Sequence, residues 1–197
     1  MSPAHSLWAL SLFAEAVALA TYWRRGGFVA FRVMLAADIV LQIADIAASG
    51  TGWYMPVFRL GNVVIGFLTA FAVIEAAPVS RGRGYRAGVS LGVALIFHSI
   101  AFSPTPWARL DELVWSFVAL GHCFAAAYLW YSMMAAWQFS RHGVLLVVYL
   151  AAMAICFYLA PVYDMGRWVM GVNLLCWVAF AWPGPFPKRP AYHLAQN

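Results

Sequence analysis

The stretch Phe28–Ser49 is apolar and long enough to cross a lipid bilayer as one helix. It nevertheless carries three polar residues, Asp38, Gln42 and Asp45. On an α-helix Gln42 lies about 40° and Asp45 about 20° around the axis from Asp38, so the three side chains form one stripe. A carboxylate that faces lipid costs roughly 2.5 kcal/mol or more, so other helices must pack against this stripe. The pattern predicts a bundle of membrane helices assembled around the second span.

The composition is typical of a membrane protein. Hydrophobic residues make up 64% of the 197-residue chain and charged residues 10%, whereas soluble proteins have roughly 45–50% and 25%. The formal net charge of +5 comes from arginines that cluster between apolar runs. Such clusters are typical of loops that lie on anionic lipid. We therefore expect a lipid bilayer as the surroundings and no nucleic acid as a partner.

Gly, Pro and Arg residues divide the chain into seven apolar runs of about 20 residues. The runs are His5–Trp23, Phe28–Ser49, Pro56–Ala77, Ala87–Phe102, Arg109–Trp137, Val144–Ala160 and Arg167–Trp182. The first run has no basic segment before it and no small-residue cleavage site after it, which predicts a retained helix rather than a signal peptide. The predicted fold is all-α, with a single seven-helix transmembrane domain over residues 1–182 and a Pro-rich tail over residues 183–197.

The basic residues predict the orientation of the bundle. Nine of the twelve fall on one side of the predicted spans, namely Arg24, Arg25, Arg32, Arg81, Arg83, Arg86, Arg141, Lys188 and Arg189. Because basic loops concentrate on the cytoplasmic side, we expect the N-terminus outside and the C-terminus in the cytoplasm. This topology needs an odd number of crossings, which agrees with seven. The predicted location is the cytoplasmic (inner) membrane.

Polar residues near the middle of the spans form a first candidate site, a ligand or ion pathway. Its members are Glu15 in the first span, Asp38 and Gln42 in the second and His122 in the fifth. At 1.5 Å per residue, Glu15, Asp38 and His122 lie at similar depth. Two carboxyl groups and an imidazole in an interior of low dielectric favour a shared proton or a bound cation. In the alternative, each polar group is satisfied separately by a backbone carbonyl or a hydroxyl, with the acids protonated.

A second group of polar residues lies nearer the outer side. Its members are Asp45, Arg59, Asn62, His98 and Asn173. Asp45 and Arg59 flank a short turn, and we expect them to form an ion pair. Together with nearby aromatic residues the group could line an outward-facing cavity for a small molecule. Hydrogen bonding between helices is the structural alternative.

Several chemistries lack the residues that they require. A retinal Schiff base needs a lysine in mid-helix, and the only lysine is Lys188 in the tail. Zinc hydrolases need histidines at helical spacing, and a bis-histidine haem needs two imidazoles at one depth, which His98 and His122 do not provide. The other histidines fall in ends and loops, and no hydrolase or nucleotide-binding motif occurs. We therefore predict no catalytic residues, no metal site and no cofactor.

Three functions stay open at this point. The first is a ligand-binding or sensor-like membrane module that acts through a membrane or cytoplasmic protein, which would contact Arg81, Arg83 and Arg86. The second is a small transporter or an ion- or proton-conducting protein that uses the central group. The third is a membrane enzyme acting on a lipid or a quinone, which no motif favours. Inverted repeats and clearly broken helices often mark secondary carriers, and their absence here favours the first function.

Overall fold

The computed structural model describes residues 3–78, 110–159 and 166–182. Over these residues the chain is all-α, with six helices and no strand. The helices are α1 Pro3–Arg25, α2 Val29–Ala48, α3 Tyr54–Ala76, α4 Leu110–Ala136, α5 Arg141–Leu159 and α6 Gly166–Ala181. They correspond to six of the seven predicted spans, with ends that differ by a few residues. The predicted span Ala87–Phe102 and the tail 183–197 lie outside the described residues.

Two of the described helices have the length and apolar composition needed to cross a bilayer. They are Ser6–Arg25 within α1 and Arg141–Leu159, which is α5. Helix α2 carries three charged residues and α6 has 16 residues, so neither meets the same requirement. A core helix of a soluble protein or a signal sequence can share the length and composition of α1 and α5. The all-α class is thus shown, whereas the seven-span bundle and its inner-membrane location are not shown by these helices.

The six helices pack around a common core. Helix α1 packs against α2 and α6, α2 also against α3, α3 against α4 and α5, and α5 against α4 and α6. Over the described residues, the backbone of α4 approaches those of α3 and α5 but not those of α1 and α2. The largest buried side chains of the core include Phe31, Leu35, Leu129, Leu150 and Trp177.

His142 marks one end of the bundle, where several helix termini meet. Its ring centroid lies 3.9 Å from that of Phe28, just before α2, and 5.7 Å from that of Phe180 in the last turn of α6. The hydroxyl of Tyr22, in the last turn of α1, lies 2.8 Å from Nδ1 of His142. Helices α2 and α5 therefore begin at this end, and α1 and α6 end there. We call it the basic end, because it carries Arg24, Arg25, Arg32 and Arg141.

The turn between α1 and α2 depends on two glycines at the basic end. Gly26 and Gly27 have φ angles of 68° and 75°, in the left-handed region that glycine adopts at little cost. The backbone N–H of Gly26 donates to the carbonyl oxygen of Tyr22 at 3.1 Å and so closes α1. Three residues thus separate the end of α1 from the start of α2, which keeps the two helices in contact.

Glu75, in the last turn of α3, caps the first turn of α2. One of its carboxylate oxygens accepts the backbone N–H of Val29, and the other accepts that of Phe31 at 3.2 Å. A carboxylate at a helix N-terminus satisfies free N–H groups and interacts favourably with the helix dipole. The guanidinium carbon of Arg32 lies 5.3 Å from the centre of the Trp23 ring. Glu75 thus caps the N-terminus of the neighbouring helix α2. Arg32 makes a cation–π contact with Trp23.

A second charged side chain, that of Arg141, caps the C-terminus of α6 at the same end of the bundle. The guanidinium group of Arg141, at the start of α5, donates to the carbonyl oxygens of Ala179 and Trp182 at 2.9 Å each. These carbonyls belong to the end of α6, where no further turn supplies N–H donors and a cation is favoured. Ser140 caps the N-terminus of α5, because its Oγ accepts the backbone N–H of Gly143 at 2.9 Å.

Replacing Glu75 with alanine should destabilise the protein by about 1–2 kcal/mol, because two backbone N–H groups lose their acceptors. Glu75→Gln keeps an oxygen acceptor and should recover at least half of this loss. Reversible unfolding in mixed detergent micelles measures both variants. Equal stability of Glu75→Ala and the unmodified protein would show that water replaces the cap at no cost.

Candidate functional site

The candidate site lies half-way along α1 and α2, well away from the helix ends. Glu15, at the middle of α1, has 0% of its surface exposed. It shares the buried face of α1 with Ser11 and Tyr22, which lie four residues before it and seven after it. Asp38, at the middle of α2, is partly buried. Both carboxyl groups are therefore held inside the bundle.

Gln42 joins the two carboxyl groups. Its Nε2 donates to Oε2 of Glu15 and to Oδ2 of Asp38, and both distances are 2.9 Å. A primary amide nitrogen carries two hydrogens, so both are used. The two carboxyl groups also lie close enough to hydrogen-bond to each other when one of them carries a proton. The structure thus brings together three of the four residues predicted for the ligand or ion pathway.

This arrangement has a clear electrostatic requirement. Two ionised carboxylates side by side in an interior of low dielectric repel each other strongly. A single amide bridge supplies partial positive charge but no compensating unit charge. The pair is therefore stable only with a proton between the carboxyl groups or with a cation beside them.

Three buried polar atoms of α1 and α6 have no hydrogen-bond partner among the described residues. They are Oε1 of Glu15, Oδ1 of Asn173 and Nε1 of Trp177, all buried. The ring of Trp177 packs against that of Tyr149, with centroids 5.1 Å apart. Tyr149 in turn lies within electrostatic range of both Glu15 and Asp38. Tyr149 on α5 thus links the carboxyl pair to Trp177 on α6.

The register of α1 and α6 brings Asn173 to the level of Glu15. Both helices end at the basic end, where the rings of Tyr22 and Phe180 lie 6.2 Å apart. Glu15 precedes Tyr22 by seven residues, and Asn173 precedes Phe180 by seven. Seven residues correspond to about 10 Å along the axis and a rotation of only about 20°. Asn173 therefore lies at the depth of Glu15, on the face of α6 that carries Phe180, and its membership of the outer group stays a prediction.

His122 is not brought to the carboxyl pair. It lies on α4, where its ring centroid is 5.2 Å from that of Phe157 on α5. Glu15, Asp38 and His122 do not form a cluster that could hold a metal ion, since no group of three His, Cys, Asp or Glu side chains among the described residues does so. Similar depth in the sequence was a sound criterion for Glu15 and Asp38, but it does not indicate which helices are neighbours.

Most of the predicted outer cavity falls outside the part of the chain that the structure describes. This applies to His98 and to the side chains of Arg59 and Asn62. Asp45 is partly buried, and its Oδ1 has no hydrogen-bond partner among the described residues. The Asp45–Arg59 ion pair and the outer cavity stay predictions. The predicted partner contacts at Arg81, Arg83 and Arg86 also lie outside the described residues.

Sequence reasoning missed His142, because it falls at a predicted loop before the span Val144–Ala160. In the structure it is the second residue of α5 and has 0% exposed surface. Nδ1 meets the hydroxyl of Tyr22, and Nε2 is buried with no hydrogen-bond partner among the described residues. The signal that could have placed it is Ser140, a preferred N-cap residue two positions earlier.

Comparison of the chain with protein-family models, with curated proteins and with solved structures finds no match. Among the described residues, no group of three or more His, Cys, Asp or Glu side chains is placed to hold a metal ion. The function must therefore be inferred from the carboxyl pair and its surroundings.

Proposed function

We propose that this protein is a multi-pass membrane protein that binds and releases a proton at Glu15 and Asp38, as small proton-linked carriers and proton-conducting proteins do. The observation that carries the proposal is the pair of carboxyl groups bridged by Gln42 at the middle of the bundle. Acidic residues are rare within membrane helices, and those that occur there usually serve ion or proton pathways.

The distribution of side chains supports a membrane setting. Each of the six described helices exposes a large apolar side chain near its middle, namely Phe13, Val40, Phe67, Phe124, Val148 and Leu175. Phe13 is 69% exposed, whereas Glu15, two residues away, is fully buried. Water disfavours exposed apolar surface by roughly 25 cal/mol per Å², whereas hydrocarbon does not. An apolar exterior around a polar centre is the arrangement expected of helices in lipid.

The directions of the helices support seven crossings and the predicted orientation. Helix α3 ends at the basic end, because Glu75 contacts Val29 there. Helix α4 begins at the opposite end, because α5 follows it after a short turn and starts at the basic end. A further crossing between α3 and α4, as the seven-span hypothesis requires, agrees with these directions. The arginines at the basic end favour that end as the cytoplasmic side of an inner membrane.

The carboxyl pair favours proton binding over the sensor-like function. A buried pair without a full positive charge is costly, and apolar residues of similar size would usually be at least as stable. Its retention at the centre of the bundle is explained if protons enter and leave there. The ligand-binding hypothesis depends on Arg59, Asn62 and His98, whose side chains the structure does not describe.

The proposal is tested by infrared titration of the purified protein in lipid nanodiscs. We expect the carbonyl band of a protonated carboxyl group that disappears as the pH rises, and we expect Glu15→Gln and Asp38→Asn each to abolish this change. Glu75→Gln, which makes the same substitution at the helix cap, should retain it. In liposomes, a membrane potential should drive proton uptake through the unmodified protein at least about tenfold faster than through Asp38→Asn.

A carboxyl band that does not change with pH while the protein stays folded would contradict proton release. The same band in Glu15→Gln and Asp38→Asn would show that other acids titrate. Either result would mean that the carboxyl pair has a structural role, namely a hydrogen-bonded contact between α1 and α2.

A further inference from the structure

The oxygen atoms around Glu15 outnumber the hydrogens that the described residues supply to them. Both hydrogens of the Gln42 amide nitrogen are used, on Glu15 Oε2 and Asp38 Oδ2. Glu15 Oε1 and Asn173 Oδ1 are buried and have no donor among the described residues. Because α1 and α6 pack in the register set by Tyr22 and Phe180, Glu15 and Asn173 lie at the same depth on two helices in contact. Buried acceptors without donors are the surroundings that a cation requires.

We propose that Glu15, Asp38 and Asn173 hold one Na⁺ ion beside the proton shared by the two carboxyl groups. Carboxylate and amide oxygens are the ligands that hard cations prefer. One proton leaves the carboxyl pair with a single negative charge, which a monovalent ion neutralises and a divalent ion would exceed. The inference rests on the carboxyl pair of the proposed function and adds a second ligand for it.

The indole of Trp177 supplies an independent indication that the site holds a further species. Trp177 is 1% exposed, and its Nε1–H has no acceptor among the described residues. It follows Asn173 by four residues and so lies on the same face of α6. A water molecule bound to Na⁺ accepts such an N–H, because its hydrogens point away from the ion and its oxygen has a second lone pair. A partly hydrated Na⁺ ion thus satisfies both the free oxygens and the free indole.

The test measures binding of Na⁺ to the full-length protein in nanodiscs at constant ionic strength, with choline chloride replacing NaCl. We expect the unfolding temperature to rise with NaCl and to saturate, and equilibrium dialysis with radioactive Na⁺ to give one ion per chain. Asn173→Ala should weaken the apparent affinity at least about tenfold. Asn173→Asp keeps an oxygen at this position and should retain Na⁺ binding, whereas the triple replacement of Glu15, Asp38 and Gln42 with leucine removes both carboxyl groups and should abolish it.

The outcomes separate this inference from the proposed function. Absence of saturable Na⁺ binding, together with an intact carboxyl titration in the infrared, would overturn the Na⁺ site alone. Absence of both would overturn the two proposals together. Unchanged Na⁺ affinity in Asn173→Ala would show that Asn173 is not a ligand. If Asn173→Ala does not fold, loss of Na⁺ binding in Asn173→Asp would overturn the site, since the carboxylate oxygen replaces that of the amide.

Discussion

Gln42→Leu should destabilise the folded protein by about 3 kcal/mol, because it removes two hydrogen bonds to buried carboxyl groups. Gln138→Leu makes the same change at an exposed position in the turn before α5 and should cost less than about 0.5 kcal/mol. Reversible unfolding in mixed micelles measures both variants. Equal losses in the two would mean that the Gln42 bridge contributes nothing to stability.

A combined variant separates the bridge from the packing around it. Replacing Glu15, Asp38 and Gln42 together with leucine removes donor and acceptors at once, and such replacements are often neutral or stabilising. We therefore expect the triple variant to be more stable than Gln42→Leu alone and to show no carboxyl titration. A triple variant that is less stable than Gln42→Leu would show that the site's shape, rather than its unpaired acids, determines the cost.

Phe31→Ala should cause the largest loss of stability, about 3–5 kcal/mol, because it opens a cavity in the aromatic cluster at the basic end. Phe31 has 0% exposed surface, and its ring lies 4.9 Å from those of Tyr22 and Phe180 and 4.7 Å from that of His142. Phe13→Ala deletes the same side chain from the outside of α1, where no cavity forms, and should cost less than about 1 kcal/mol. Comparable losses in the two variants would contradict the assignment of Phe13 to the lipid-facing surface.

The helices and the carboxyl pair were within reach of sequence reasoning. Long apolar runs bounded by glycine, proline and arginine predict helices wherever they occur, and all six described helices follow such runs. The pairing of Asp38 with Gln42 follows from their spacing of four residues. That Glu15 meets them follows from its mid-span position and the short turn between the first two helices.

The neighbours of α6 were not predictable in the same way. Apolar periodicity shows that a helix has a buried face but not which helix covers it, so Asn173 was assigned to the outer group and His122 to the centre. The level of Asn173 depends on α6 packing parallel to α1, a contact between residues more than 150 positions apart in the chain, and the position of His122 depends on α4 packing against α5. Trp177 and Tyr149 gave no signal either, because aromatic residues in apolar runs usually belong to the core.

The hydrogen bonds between helices at the basic end restrict access to the carboxyl pair from that end. Glu75 ties α3 to α2, Arg141 ties α5 to α6, and Tyr22 ties α1 to α5, all within one layer of the bundle. Separating the helices there would break the charge-assisted bonds of Glu75 and Arg141 and the neutral hydrogen bond between Tyr22 and His142 at once. If the helices tilt about this layer, those bonds stay intact and the opposite ends of the helices move apart. If the carboxyl pair binds protons and Na⁺ as we propose, both would then reach Glu15 from the side on which α1 begins.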